Sequence, residues 1–138
     1  MTTSRASAVW EGGLKGGRGS FAAQSGAFEG DYSFATRFES AAGTTPEELI
    51  AAAHAACLSM ALSADLEKAG TPPTRIETTA ACTIDAGKIQ KMELSVRGRV
   101  KGIDEATFKK AAEGAKENCP VSKALKGNVQ FVLTARLE

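Results

Sequence analysis

The pattern of apolar residues predicts a long helix that begins near Pro46. Thr45 can cap this helix, Pro46 takes the first helical position, where its missing N–H costs nothing, and Glu48 follows the cap by three residues, as in a capping box. Gly70 is typical of a helix end, so we expect the helix to run to about Lys68. The sequence therefore predicts one uninterrupted helix of several turns.

The predicted helix has little polar surface. Between Leu49 and Ala64, only His54, Ser59 and Ser63 break the apolar run. Helices that are apolar on all sides lie in a protein core or between subunits, and the many alanines here would let another backbone approach closely. A second copy of this helix, antiparallel across a dimer axis, is the expected partner.

Short segments of alternating apolar and polar residues predict strands on both sides of the helix. Before it, glycine-rich turns separate the runs ASAVW, SFAAQS and YSFATRF, which indicate two or three strands. After it, the sequence DAG at 85–87 predicts a hairpin. The inward faces of this hairpin are expected to carry Ile76, Thr78, Ala80, Cys82 and Ile84 on one strand and Met92, Leu94, Val96 and Val100 on the next.

The C-terminal part predicts two further helices and a last strand. Asp104 can cap the first helix, Pro120 can open a second, short helix that ends before Gly127, and alternation over 129–137 predicts the final strand. This order of elements predicts a single α+β domain over residues 1–138, in which a mixed, mainly antiparallel sheet packs on a long buried central helix.

The charge balance argues against two classes of partner. Seventeen Lys and Arg oppose sixteen Asp and Glu, a formal net charge of +1 without a run of like charges, so nothing draws this surface to nucleic acid or to an anionic membrane. The amino terminus lacks an apolar stretch of signal-peptide length, and the most apolar region, 49–62, falls short of a membrane span. We therefore expect a soluble cytoplasmic protein that acts on a small neutral or amphiphilic substrate.

Three cysteines carry the candidate chemistry. Their odd number favours reduced thiols over a structural disulfide framework. Cys82 is expected to be a small buried hydrophobe on its strand, and Cys57 fits the same role on its helix. Cys119 precedes Pro120 at a predicted helix start, where free N–H groups favour a thiolate. Cys57 and Cys119 could form a peroxidatic and resolving pair, but they are too distant for a CxxC motif, so only the fold can bring them together.

The segments around these two cysteines resemble a known family. GTTPEELIAAAHAACLSMALS and CPVSKAL closely resemble segments of the osmotically inducible protein C and organic hydroperoxide resistance family of bacterial peroxide reductases. VWEGGLKGGRGSF, ATRFES and GID fall in the expected order, so the resemblance covers nearly the whole chain. It is closer to the osmotically inducible branch, since the other branch usually has Gly-Tyr in place of Ala53-His54. The resemblance implies a thiol-dependent peroxidase and an intertwined homodimer with two sites at its interface.

This resemblance implies four catalytic residues. They are Cys57 as the peroxidatic cysteine, Cys119 as the resolving cysteine, Glu47 as the catalytic glutamate, and Arg18 in GGRGS as the catalytic arginine, where some relatives carry lysine. The expected capping box occupies Glu48 and leaves Glu47 for another partner, but the sequence does not exclude an exchange of the two glutamates. The resemblance implies no metal or bound cofactor, and its reductant is an external dithiol, such as a lipoyl group or another small or protein thiol.

The implied chemistry requires a cation beside the nucleophile. An apolar surround raises the pKa of a thiol such as Cys57, whereas the guanidinium of Arg18 would stabilise the thiolate and hydrogen-bond to the peroxide oxygens. Glu47 would orient that guanidinium. Glu47 and Cys57 lie ten residues apart on one helix, about 15 Å, which is too far for both to contact one guanidinium. We therefore expect each site to combine residues of two subunits.

The residues also allow other functions. The same interfacial cleft could belong to a non-catalytic module that binds a small apolar ligand. His54 lies three residues before Cys57 on the same helix face, which allows a Cys-His nucleophile pair or a metal site, although no CxxC or HxxxH spacing prearranges metal ligands. A packed core histidine is the simpler interpretation. Apolar walls from residues such as Leu49, Ile50 and Met60 suit the alkyl part of an organic or fatty-acid hydroperoxide.

Overall fold

The computed structural model of the chain describes residues 1–138. The fold consists of two compact units, Met1–Pro46 and Glu47–Glu138. The first holds a three-stranded sheet, and the second holds nearly all of the long helix, another three-stranded sheet and two further helices. The predicted α+β class is confirmed, but the strands form two separate sheets where one was expected. A single domain over residues 1–138 stays a prediction.

The N-terminal unit is an antiparallel sheet that is followed by a short helix. Its elements are β1 (Ala6–Glu11), β2 (Arg18–Ala23), β3 (Glu29–Tyr32) and α1 (Phe34–Phe38), with sheet order β1-β2-β3. The strands expected for ASAVW and SFAAQS are confirmed, but the strand predicted for YSFATRF is wrong beyond Tyr32, its first residue. The Ser33 hydroxyl accepts the Thr36 N–H at 3.1 Å, and the Thr36 hydroxyl accepts the Ser33 N–H at 2.9 Å. This reciprocal capping box starts a helix instead.

Helix α2 (Pro46–Lys68) has the boundaries that the sequence predicts. At its C-terminus, the N–H of Gly70 donates to the carbonyl of Glu67 at 3.0 Å, and the N–H of Thr71 donates to the carbonyl of Leu66 at 2.9 Å. These two bonds form a Schellman cap, and Gly70 takes the left-handed conformation that the cap requires, with φ of +82°. The helix therefore ends where a glycine permits the reversal.

The C-terminal unit contains the second sheet, in the order β4-β5-β6. Its elements are β4 (Arg75–Asp85), β5 (Lys88–Arg99), α3 (Glu105–Asn118), α4 (Pro120–Leu125) and β6 (Gln130–Leu137). The β4-β5 turn places Ala86 and Gly87 at positive φ, as a two-residue hairpin turn requires. Strand β6 pairs with β5 in parallel, because α3 and α4 return the chain to the same end of the sheet. The predicted hairpin, helices and last strand are confirmed.

The core of the C-terminal unit lies between its helices and the inward face of the second sheet. On α2 the buried positions recur every three or four residues, whereas on β5 they alternate, as the periods of a helix and a strand require. The buried apolar cluster consists of Ala51, Leu58, Leu62, Leu66, Met92, Leu94, Val96, Val100, Phe108, Ala112, Ala115 and Ala135. This packing holds α2 across the sheet and fixes the position of the residues on its inner face.

The outer face of α2 is exposed in the single chain. Met60 is 77% exposed, and Ala52, Ala53, Ala56 and Ala64 are exposed with it. Within a single chain, therefore, only one face of the helix shows the predicted burial. The length and composition of α2 also suffice for a membrane span, contrary to our expectation, although the core helices of soluble proteins meet the same criterion.

Candidate active site

Two cysteines from distant parts of the chain meet in the C-terminal unit. Cys57 lies near the middle of α2, and Cys119 lies at the junction of α3 and α4. The two side chains are close enough that Cys119, together with the backbone N–H of Val121, influences the pKa of the Cys57 thiol. Neither cysteine is in a disulfide. The fold therefore brings together the two cysteines that the sequence singles out.

The surroundings of Cys57 within the C-terminal unit disfavour its thiolate. Burial raises the pKa of the Cys57 thiol most, the Val121 N–H lowers it, and the neighbouring Cys119 raises it as well. None of these influences is a cation. Since the thiolate is the nucleophilic form of cysteine, a positive charge from outside this set would favour the reactive form of Cys57.

Cys119 is the N-cap of α4, as predicted from the proline that follows it. Its sulfur accepts the backbone N–H of Ser122 at 3.3 Å, and its thiol donates to the Ser122 hydroxyl at 3.1 Å. Both side chains are buried. The sequence analysis missed Ser122, although a serine three residues after a predicted N-cap lies where the capping group finds its partner.

His54 is fully buried one turn before Cys57 on α2. Its Nε2 lies 2.7 Å from the Ser122 hydroxyl oxygen, its ring makes an edge contact with Phe131 of β6 at 5.1 Å between centroids, and its Nδ1 has no hydrogen-bond partner. Burial lowers the pKa of His54. A packed core histidine was the simpler expectation, and the structure adds to that packing a specific contact with the residue that bonds to Cys119.

The two candidate glutamates differ in exposure. The side chain of Glu47 is buried in the first turn of α2, whereas Glu48 is exposed. The pKa of Cys82 on β4 is raised by burial and, secondly, by the negative charge of Glu47. Cys82 is half-buried in phase with the inward residues of its strand, close to the expected core position. Of the two carboxylates, Glu47 is therefore the one held inside the protein.

Arg18 lies in the N-terminal unit, separate from the unit that holds both cysteines. It is the first residue of β2, opposite Glu11 of β1, and it is exposed. It lines a surface hollow of about 860 Å³ together with the acidic residues Glu29 and Asp31. Gly19 follows it, and a Cβ at this glycine would come within 2.7 Å of the rings of Trp10 and Tyr32. Close packing of these two rings thus sets the backbone next to Arg18.

The structure shows no group of three or more His, Cys, Asp and Glu side chains arranged to hold a metal ion.

Comparison with known proteins identifies the family. Residues 39–134 match the model of the family described as OsmC-like protein. The chain belongs to the OsmC-like protein family. This OsmC-like protein is 49% identical over 127 residues to the peroxiredoxin OsmC of Escherichia coli (strain K12), an alignment that covers 88% of this chain and 89% of the relative. The family resemblance predicted from the cysteine segments is confirmed.

Solved structures of related proteins share the fold. OhrB of Bacillus subtilis, an organic hydroperoxide resistance protein, is 26% identical with a TM-score of 0.67, and the match covers 96% of this chain and 98% of that one. A Legionella pneumophila protein described as an organic hydroperoxide resistance protein OsmC gives a TM-score of 0.75 at 22% identity, over 99% and 98% of the two chains, and supports the fold alone. With its family established, this OsmC-like protein is a cysteine-based peroxidase with a peroxide-detoxifying, antioxidant role.

Proposed function

We propose that this OsmC-like protein reduces organic hydroperoxides, and also hydrogen peroxide, through Cys57 and Cys119. The observation that carries this proposal is that the fold makes the two cysteines neighbours, close enough for Cys119 to raise the pKa of the Cys57 thiol. A sulfenic acid formed on Cys57 would have a second thiol already close to it, as a reaction that ends in an intramolecular disulfide requires. The apolar residues of α2 suit the alkyl part of an organic peroxide, and related proteins are named for organic hydroperoxide resistance.

The proposed cycle has three steps. The Cys57 thiolate attacks one peroxide oxygen, the O–O bond breaks, and the leaving alkoxide takes up a proton, so that Cys57 becomes a sulfenic acid and the product is an alcohol. Cys119 then attacks the Cys57 sulfur, water leaves, and a Cys57–Cys119 disulfide forms. An external dithiol, such as a lipoyl group or another small or protein thiol, reduces this disulfide. No bound cofactor takes part.

In this proposal, Arg18 supplies the positive charge that Cys57 lacks. The raised pKa of the Cys57 thiol supports the need for such a group, and a guanidinium would also donate hydrogen bonds to the peroxide oxygens as charge develops on the leaving oxygen. Glu47 would orient the guanidinium through a charge-assisted hydrogen bond. Its burial supports Glu47 over Glu48 for this role, since a buried carboxylate requires a fixed polar partner.

We further propose that the active protein is an intertwined homodimer in the cytoplasm, with each site built from two subunits. Two observations support the dimer. Glu47 and Cys57 lie about 15 Å apart along α2, too far for one guanidinium to contact both from a single copy. The outer face of α2 is apolar, rich in alanine and exposed in the single chain, as expected of a helix that packs against its own copy.

A thiol titration tests the proposed reaction. The reduced protein, which has three cysteines, is treated with one equivalent of cumene hydroperoxide, and its remaining thiols are counted after unfolding. We expect one thiol to remain, on Cys82, and peptide mapping to find the Cys57–Cys119 disulfide. A module that merely binds an apolar ligand would keep all three thiols, and that result would overturn the proposal.

A further inference from the structure

A continuous chain of hydrogen bonds leads from the cysteine pair to His54. It runs from the Cys119 thiol, the neighbour of Cys57, to the Ser122 hydroxyl at 3.1 Å, and from that hydroxyl to Nε2 of His54 at 2.7 Å. Cys119, Ser122 and His54 are all at most 2% exposed. The resolving thiol therefore has a buried hydroxyl beside it, and that hydroxyl has an imidazole beside it.

The bonding pattern leaves the imidazole free to take a proton. The Cys119 thiol donates to the Ser122 oxygen, and in the neutral tautomer of His54 that carries its hydrogen on Nδ1 the Ser122 hydroxyl donates to Nε2. On the far side of the ring, Nδ1 has no partner that would fix the tautomer. Burial lowers the pKa of His54, which keeps the ring neutral and able to accept at neutral pH.

We propose that Ser122 and His54 form a proton relay that activates Cys119 for its attack on the sulfenic acid of Cys57. The inference rests on the proposed function, because it concerns the second step of that cycle. Ser122 touches the reacting sulfur, whereas His54 acts through Ser122 and is a positioning residue that also holds the proton. Neither residue belongs to the set of four implied by the family resemblance.

The step balances without any outside oxidant or reductant. As the Cys119 sulfur attacks, its proton passes to the Ser122 oxygen while the Ser122 hydroxyl proton passes to Nε2 of His54. The new S–S bond forms as the S–O bond of the Cys57 sulfenic acid breaks, and the departing hydroxide becomes water with the proton that His54 then releases. The Cys57 sulfur is formally reduced by one electron, and the Cys119 sulfur is oxidised by one.

Because His54 is buried, it would hold the extra proton only briefly. A charged imidazole in this position would lie against Phe131 and without a carboxylate partner at Nδ1, so it would lose its proton again once hydroxide leaves. The titratable groups along the chain of bonds are Cys57 and Cys119, and burial is what lowers the pKa of His54. The relay would thus return to its starting state after each disulfide forms.

The alternative is that the same contacts merely pin α4 to α2. Two variants separate these roles. His54→Gln can keep a hydrogen bond to Ser122 but cannot accept a proton, and Ser122→Ala removes the middle of the relay while the backbone N–H of residue 122 remains to bond Cys119. Ser59→Ala is a matched control, because Ser59 lies on the same helix and donates a 2.7 Å hydroxyl hydrogen bond to Thr78 of β4.

The measurement follows how fast the Cys57 sulfenic acid is converted to the disulfide. Reduced full-length protein is mixed rapidly with one equivalent of cumene hydroperoxide, and samples quenched with dimedone report the loss of Cys57 sulfenic acid and the gain of disulfide by mass spectrometry. We expect condensation to be at least ~10-fold slower in His54→Gln and Ser122→Ala, from the usual contribution of acid–base groups, and unchanged in Ser59→Ala. In the two relay variants the rate should rise about tenfold per pH unit, because Cys119 must then lose its proton to water, whereas the parent rate should vary little between about pH 6 and pH 8.

Each outcome decides the inference. A condensation rate within about twofold of the parent rate in both relay variants, or in His54→Gln alone, overturns the relay. A condensation rate that is slower but has the same pH dependence as the parent rate also overturns it. If His54→Gln does not fold, Ser122→Ala against Ser59→Ala gives the answer. A parent protein that forms no disulfide at all contradicts the proposed function and the relay together, whereas a parent that forms it while both variants match its rate contradicts the relay alone.

Discussion

The side chains of Cys57 and Cys119 are neighbours in the fold, although β4, β5 and α3 lie between them in the chain. Formation of a disulfide between them would therefore need a short approach of two sulfurs and no large rearrangement of the backbone. The same closeness raises the pKa of Cys57, because a neighbouring thiol favours the protonated form. A pair arranged for resolution thus makes the nucleophile harder to ionise, and this conflict explains why the proposed mechanism needs Arg18.

Single substitutions at the three cysteines should give three different results. Cys57→Ser is expected to abolish hydroperoxide consumption, since the nucleophile is lost. Cys119→Ser should consume one equivalent and then stall or over-oxidise to a sulfinic acid, because no thiol protects the sulfenic acid. Cys82→Ser is the control and should keep the parent rate. Peroxide consumption with excess lipoamide measures Cys57→Ser and Cys82→Ser, whereas Cys119→Ser is measured without added thiol, because a dithiol can reduce its sulfenic acid. Mass spectrometry follows the cysteines in each case, and an active Cys57→Ser protein would contradict the assignment.

Removal of the Arg18 charge should slow the first step and shift its pH profile. We expect Arg18→Ala to lower the rate of Cys57 oxidation by ~10²–10³-fold, as for the loss of other preorganised charge-stabilising donors. The rate of the parent rises with pH as the thiol ionises, and in the variant that rise should move to higher pH. Stopped-flow oxidation and alkylation by iodoacetamide across pH measure both effects. Arg5→Ala serves as an exposed control, and identical profiles in the two variants would count against the role of Arg18.

The neighbouring glutamates provide a matched pair of variants. If Glu47 orients the guanidinium, Glu47→Gln should lower kcat/KM by ~10–100-fold through misplacement of that group, while Glu48→Gln should stay within about twofold. The two changes are chemically identical and lie in the same helical turn. A larger loss in the Glu48 variant would exchange the roles of these residues.

A charge on the outer face of α2 should break the proposed dimer. Met60 is 77% exposed in the single chain, so Met60→Glu is expected to leave the fold of each chain intact but to convert the dimer to a monomer with much reduced activity. Size-exclusion chromatography with light scattering gives the mass, and circular dichroism confirms the fold. Thr79→Glu, on the exposed face of β4, is the control. A parent that is already monomeric at micromolar concentration would remove the basis for a site shared between subunits.

His54 should make the folded protein sensitive to acid. Its pKa is lowered by burial, so below about pH 6.5, the unfolded value, the unfolded chain binds a proton that the folded chain resists, and the free energy of unfolding falls as the pH falls. His54→Gln lacks this titration. Urea unfolding between about pH 5 and pH 8 should therefore show a shallower decline in the variant than in the parent, and equal slopes would contradict the buried neutral histidine.

Much of the fold follows from local sequence signals. Pro46 and Gly70 set the ends of α2, the DAG turn sets the β4-β5 hairpin, and Asp104 caps α3 with a 2.8 Å bond to the Thr107 N–H. These signals work because each is satisfied within a few residues of itself. The strand expected at Phe34 is wrong because another local signal, the capping box of Ser33 and Thr36, starts a helix there.

The sequence by itself determined most of the element boundaries, the inward faces and the cysteine motifs, because local hydrogen bonds and residue periodicity specify them. Only the tertiary structure decided which groups touch: it placed Cys119 against Cys57, Ser122 between Cys119 and His54, and Glu47 rather than Glu48 in the interior. No local rule specifies these contacts, since they depend on how α4 and the second sheet pack against α2. Side chains far apart in sequence acquire a common environment through that packing, and their chemistry follows from it.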